Sequence, residues 1–222
     1  MASFLNSLIA DAIRNLRSGD LRRGLQQAES ALQVAASTQD RGLAAQAAVL
    51  RGFLGYVGVD PEPLPVEHVQ DAASWISPPS PLFYLSQYLR IHQLCDSNLE
   101  PADLWIAASS LEAVLGEITP GSLTYADLMH ALGRANTHLG LDMGPDQLTV
   151  ASHLLHNHGC IERAFLCDLD LDPERATANE LPAEVQAVAQ AALRGKDRRR
   201  VAACRQALLR RSPPFLLTED AP

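Results

Sequence analysis

Apolar residues recur along this chain at steps of three and four, the period of helices that pack by one face. Near the start, Leu5, Leu8, Ile9, Ala12, Ile13 and Leu16 fall on one side of a helix. Ser18-Gly19-Asp20 stops it, and Asp20 is placed to cap a second helix whose inner face carries Leu21, Leu25, Ala28, Leu32 and Ala35. A third helix, rich in Ala and Gly, is predicted from about Gln39 through Tyr56. The prolines of Asp60-Pro-Glu-Pro-Leu-Pro65 remove amide donors and restrain the residues before them, so the helical run breaks there. A short helix over Val66–Trp75 follows, then PLFYLSQYLRIHQLC and PADLWIAASSLEAVLGEI. Phe83, Tyr84, Tyr88 and Trp105 are expected in the core, because large rings at helical spacing bury area.

Thr119-Pro-Gly121 reads as a domain boundary, a turn followed by a fresh helix cap. Beyond it, Thr124 is expected to cap a helix facing inward with Tyr125, Leu128, Met129 and Leu132, and Gly133 to make a sharp turn. A second short helix is predicted around Arg134–Leu141, broken at Gly140 or Gly144-Pro145. A third begins at Asp146, turns Leu148, Ala151, Leu154 and Leu155 inward, and ends at Gly159. Ile161–Leu169 is the one expected strand, and Pro182–Leu193 and Asp197–Arg210 read as further helices. The expected fold class is mainly α: a helical repeat-like domain over 1–118, a helix-turn-helix-like module with a basic C-terminal helix over 119–211, and a mobile tail over 212–222 that ends SPPFLLTEDAP.

Composition narrows the class. The chain has 222 residues, 47% of them hydrophobic, and is long enough to bury a substantial core. No run reaches the roughly 18 apolar residues of a membrane span. The start, MASFLNSLIADAIRNLR, lacks an early basic region followed by a purely apolar core, so a cytoplasmic location and no membrane partner are expected. Cys95, Cys160, Cys167 and Cys204 form no CxxC and are expected as thiols that pack like small core residues. Lys196 is the single lysine among 18 basic residues, which reflects the codon bias of a GC-rich, bacterial type of genome. The net charge of −8 is uneven. Arg194–Arg211 holds eight basic residues against Asp197, so an otherwise acidic body carries one local site for an anion or an acidic partner.

Two short stretches resemble known modules. Ala12, Gly19-Asp20-Leu21, Gly24, Ala28, Ala31 and Leu32, within residues 8–40, stand roughly where a tetratricopeptide repeat has its small residues, its turn and its closing Ala-Leu pair. Asn15 and Ala36 depart from that motif, where it usually has an aromatic and often a proline. Within 122–166, Thr124, Tyr125, Leu128, Ala131-Leu132-Gly133-Arg134, Asn136, Leu139-Gly140 and His158-Gly159 resemble the winged helix-turn-helix module of alkylguanine-transferase-like proteins. The alkyltransferase motif PCHRV is absent, and Cys160 is followed by Ile161, so that activity does not carry over.

Candidate chemistry is sparse. GxxxxGK(S/T), GxSxG, HExxH and dinucleotide glycine patterns do not occur. The leading expectation is therefore a non-enzymatic adaptor or regulatory subunit that binds a protein partner through helical surfaces, with no cofactor. The alternative is a DNA-associated regulator. In it Arg134, Asn136, Thr137 and His138 face phosphates or base edges, while Arg198, Arg199 and Arg200 supply positive charge. A further alternative is a metal site at His153, His156, His158 and Cys160, with Cys167 downstream, since His and Cys are the usual zinc donors. Asp168-x-Asp170-x-Asp172 lacks the glycine and the final Glu of a calcium loop and reads as an acidic turn ahead of a helix after Pro173.

Overall fold

The computed structural model describes residues 2–18, 20–38, 40–58, 66–96 and 101–172. Nine α-helices and no strand occur among the described residues. They are α1 (Ala2–Arg17), α2 (Leu21–Ala35), α3 (Arg41–Gly58), α4 (Val66–Ala73), α5 (Pro81–Asp96), α6 (Pro101–Leu115), α7 (Leu123–His138), α8 (Met143–Asn157) and α9 (Ile161–Leu171). The predicted helices 182–193 and 197–210 and the tail 212–222 lie outside the described residues.

The first three helices pack in sequence. Leu5, Ile9, Ala12 and Leu16 of α1 meet Gly24, Ala28 and Ala31 of α2, all buried, and α2 in turn packs on α3. The Asp20 carboxylate accepts from the Arg23 amide at 3.1 Å, which answers one of the bare N–H groups that open α2. Among the aromatics expected inside, Tyr88 is fully buried while Phe83 and Tyr84 are half-buried. Trp105 is exposed instead, because the inward face of α6 is taken by Leu104, Ala107, Ala108, Leu111 and Leu115.

Three local expectations for the second half are corrected. Ser122 rather than Thr124 caps α7, its hydroxyl accepting from the Tyr125 amide at 3.2 Å. Gly133 makes no turn, and α7 runs unbroken for 16 residues through it. A Cβ at Gly133 would lie 2.9 Å from the Leu148 amide nitrogen, so the glycine serves the close approach of α8 rather than chain reversal. Ile161–Leu169 is helical, with the Ala164 amide bonded to the Cys160 carbonyl at 3.0 Å and Asp172 to Asp168 at 2.9 Å. Its unbroken burial from Arg163 to Cys167 gives it the apolar run of a strand, and the i to i−4 ladder satisfies its backbone.

Gly140 and Gly159, at φ +71° and +70°, close α7 and α8. In both places the next amide returns to a carbonyl five residues back, Leu141 to Asn136 and Cys160 to Leu155, each at 2.8 Å. Thr119–Gly121 does not divide the interior. One hydrophobic core runs from Leu5 to Leu169, and α7 packs on both α5 and α6 across that turn.

Candidate functional site

The centre of the second half is polar. On α5, Tyr88, His92 and Asp96 are spaced by four and share one face; on α7, His130 and Arg134 do the same. Tyr56 from α3 and Asp170 from α9 complete the group. Tyr88, His92 and His130 have no exposed surface, and Arg134 retains 2%.

Arg134 is the hub. Its Nη1 donates to Tyr56 Oη at 3.1 Å, lies 2.8 Å from His92 Nδ1, and donates to the His92 carbonyl at 3.2 Å. Its Nη2 donates to Asp96 at 2.5 Å, and its Nε is 3.3 Å from Asp170 Oδ1. The other Asp170 oxygen sits 2.8 Å from His130 Nε2, while His130 Nδ1 is 3.2 Å from Tyr88 Oη. Tyr56 Oη is likewise 3.0 Å from His92 Nδ1. The rings of His92 and His130 cross with centroids 4.6 Å apart. Burial opposes the charge on Arg134, but Tyr56, Asp170 and Asp96 outweigh it and hold the guanidinium well above its ordinary pKa. Such a group is expensive to bury and correspondingly expensive to break.

A second buried pair lies about one turn along the same face of α7. Arg163 Nη1 donates to both Asp127 oxygens, at 2.9 and 2.7 Å, and its Nη2 is 2.8 Å from Cys160 Sγ. Burial alone pushes the Asp127 carboxyl upward. The two-oxygen contact is nevertheless that of an ionised pair, and although burial also opposes the charge on Arg163, Asp127 and Cys160 hold it above its usual pKa.

Among the described residues, Arg134 and Asn136 do not share a surface with Thr137 and His138. Arg134 is buried in the hub, and Asn136, 5% exposed, donates to Gln147 Oε1 at 2.8 Å. Both were placed on a surface because a turn was expected at Gly133; within a continuous helix they point inward. Thr137 and His138 are exposed, and Arg198, Arg199 and Arg200 lie outside the described residues. The expected metal cluster is dispersed as well. His153, His156 and His158 are exposed, with His156 Nδ1 3.0 Å from the Ser152 carbonyl and His158 Nε2 2.8 Å from that of Gly121. Cys160 is buried against Arg163, and Cys167 is a buried thiol.

Donor atoms converge elsewhere. One ligand atom each from His92, His130 and Asp170 lie within 4.8 Å of one another, a grouping of three helices that spacing along the chain does not announce. The usable signal was the four-residue repeat Tyr88–His92–Asp96 beside His130–Arg134, since polar groups at helical spacing inside an apolar pattern share a buried face.

Two hollows open elsewhere on the surface. A groove of about 420 Å³ between α2, α3 and α4 is lined by Leu32, Ala45, Asp71 and Trp75, with the Arg41 guanidinium 5.1 Å over the Trp75 ring. Another, of about 440 Å³, lies along α5 beside Phe83, Gln87, Arg90 and Asp103. Neither is lined by a member of the buried cluster. No helix among the described residues is long and apolar enough to cross a membrane. No family model matches this chain, and neither a curated protein nor a solved structure matches it.

Proposed function

We propose that this chain is a non-enzymatic interaction protein, an adaptor or regulatory subunit, that takes a partner protein on the outer face of α6. The observation behind this reading is that α6 exposes two large apolar side chains next to each other on the side away from the core. Leu104, Ala107, Ala108, Leu111 and Leu115 face the core, while Trp105 and Ile106 are 53% and 60% exposed. A solvent-facing Trp beside an Ile, set among exposed Asp103, Ser109, Ser110 and Glu112, gives this face an apolar centre with a polar surround, the make-up of an interface patch. Asp103 and Glu112 are the charges on α6, with no basic residue among them. The partner that complements this face is a protein surface with an apolar centre and an arginine- or lysine-bearing rim.

The test uses the full chain in its native host, with a photo-crosslinking residue replacing Ile106. The expected product joins this chain to one other polypeptide, identified by mass spectrometry. The purified partner then binds the wild-type chain at least about tenfold more tightly than Trp105→Ala, a difference of ~1.4 kcal/mol. Crosslinking to residues 173–222 of the same chain, to a second copy or to nothing overturns the proposal, as does an affinity that Trp105→Ala leaves unchanged.

A further inference from the structure

We propose that His92, His130 and Asp170 bind one divalent transition-metal ion of the class that takes mixed nitrogen and oxygen donors, zinc or ferrous iron being typical. The three side chains come from α5, α7 and α9, and their donor atoms lie within 4.8 Å of one another. Two imidazoles and one carboxylate form a donor set that such ions favour over calcium or magnesium, which prefer oxygen alone.

The surroundings match what a ligating set needs around it. Metal-bound imidazoles are aimed by a partner on their second ring nitrogen, and ligating carboxylates are themselves hydrogen-bonded. Here Tyr88 Oη is 3.2 Å from His130 Nδ1 and leaves His130 Nε2 directed at Asp170. Tyr56 Oη is 3.0 Å from His92 Nδ1. The two oxygens of Asp170 are divided between neighbours: Oδ1 faces Arg134 Nε at 3.3 Å, and Oδ2 faces His130 Nε2 at 2.8 Å. An ion entering between His130 and Asp170 replaces the proton those two atoms share, and that proton leaves to solvent. Arg134 keeps its ion pair with Oδ1, Nε at 3.3 Å, which holds the carboxylate in place by charge. Ligation through His92 Nε2 places the proton on Nδ1, which then gives up its 2.8 Å contact with Arg134 Nη1 and donates to Tyr56 Oη at 3.0 Å. Nη1 turns its hydrogens to Tyr56 Oη at 3.1 Å and the His92 carbonyl at 3.2 Å. Arg134 also offsets the carboxylate charge of Asp96 and Asp170 when no ion is bound.

The decisive measurement is made on the full wild-type chain, stripped of metal and titrated with Zn²⁺ while the ring nitrogens of its histidines are followed by NMR. Co²⁺ serves as an optical probe of the same site. The expected result is saturation at one ion per chain, with the signals of His92 and His130 displaced and visible Co²⁺ bands that depend on Asp170. Asp170→Asn and His130→Ala abolish saturation, and Tyr88→Phe weakens binding about 10–100-fold. Joint replacement of His153, His156 and His158 by alanine leaves it unchanged. Absence of saturation, displacement confined to His153, His156 and His158, or retention of full affinity in Asp170→Asn each overturns the proposal. Because the wild-type titration assigns the ligands by itself, an unfolded variant does not blunt the test. The α6 reading stands or falls separately, on the crosslink at Ile106.

Discussion

The two halves of this molecule are held together by opposite means. In α1–α3 the core is mostly aliphatic and small residues, Leu5, Ile9, Ala12, Ala28 and Ala31 among them, with Arg51, paired to Glu29 at 3.4 Å, as its buried charge. In α5, α7 and α9 the meeting point is Arg134 and its ring of Tyr56, His92, Asp96 and Asp170, with Asp127–Arg163 as a second pair further along α7. Apolar packing is forgiving, because many exchangeable contacts each contribute little. A buried charge is not, since each member depends on partners that must all be present. The first half therefore tolerates change that the second does not.

The largest effect that separates them is expected at Arg134. Arg134→Ala leaves Asp170, whose side chain is 7% exposed, with a buried carboxylate stripped of its counter-charge. Losing one partner of such a pair costs about 3–5 kcal/mol. Urea unfolding followed by circular dichroism measures it. A loss under about 1 kcal/mol, the scale of an exposed ion pair, would mean that the hub does not hold the helices and would erase the contrast between the halves.

That contrast also explains what could be read from the chain. The inner faces of α1 and α2 were legible residue by residue, because apolar period and burial coincide there: Leu5, Ile9, Ala12 and Leu16 are buried, and Leu8 and Ile13 half-buried. The second half inverts the rule that charges face water. Arg134 and Asp170 are charges that the fold buries, against the reading of the one as a surface residue and the other as part of an acidic turn. What buries them is non-local, since Arg134 finds Tyr56 across 78 positions and Asp96 across 38. No window of sequence contains those partners. The donor atoms that converge are likewise set by non-local contacts. His153, His156 and His158 are neighbours in sequence at an exposed helix end, whereas His92, His130 and Asp170 meet only after folding. Gly133 was misjudged on different grounds: a glycine needed for close helix contact and one needed for a turn look alike until the facing helix is known.

A smaller and sharper test compares one substitution in both halves. Glycine to alanine inside a helix gains about 1 kcal/mol in propensity wherever it is made. At Gly133 that gain is lost, because the new Cβ sits 2.9 Å from the Leu148 amide nitrogen and 3.0 Å from Gln147 Cβ and Leu148 Cγ. Relief requires α8 to move away from α7, and overpacking of this kind costs about 1–3 kcal/mol. A melting temperature lower by roughly 2–4 °C for each kcal/mol is expected for a chain of this size. An unchanged or raised melting point would show that the α7–α8 contact is looser than the structure has it.

At Gly24 the same change meets a different neighbour. Its Cβ would lie 3.3 Å from Leu54 Cδ2, 3.4 Å from the Ala12 carbonyl and 3.5 Å from Asn15 Cβ. The tightest contact is the end of a leucine side chain, which can yield by a few tenths of an ångström without moving a helix. The propensity gain of about 1 kcal/mol is then largely kept, and Gly24→Ala is expected to leave the melting temperature unchanged or raise it slightly. Placed beside Gly133→Ala, the pair isolates the nature of the interface from the chemistry of the substitution, since both remove a buried helical glycine. If Gly24→Ala destabilised as much as Gly133→Ala, the α1–α2–α3 packing would be as unyielding as the α7–α8 crossing. Tolerance in the first half would then need a source other than its apolar composition.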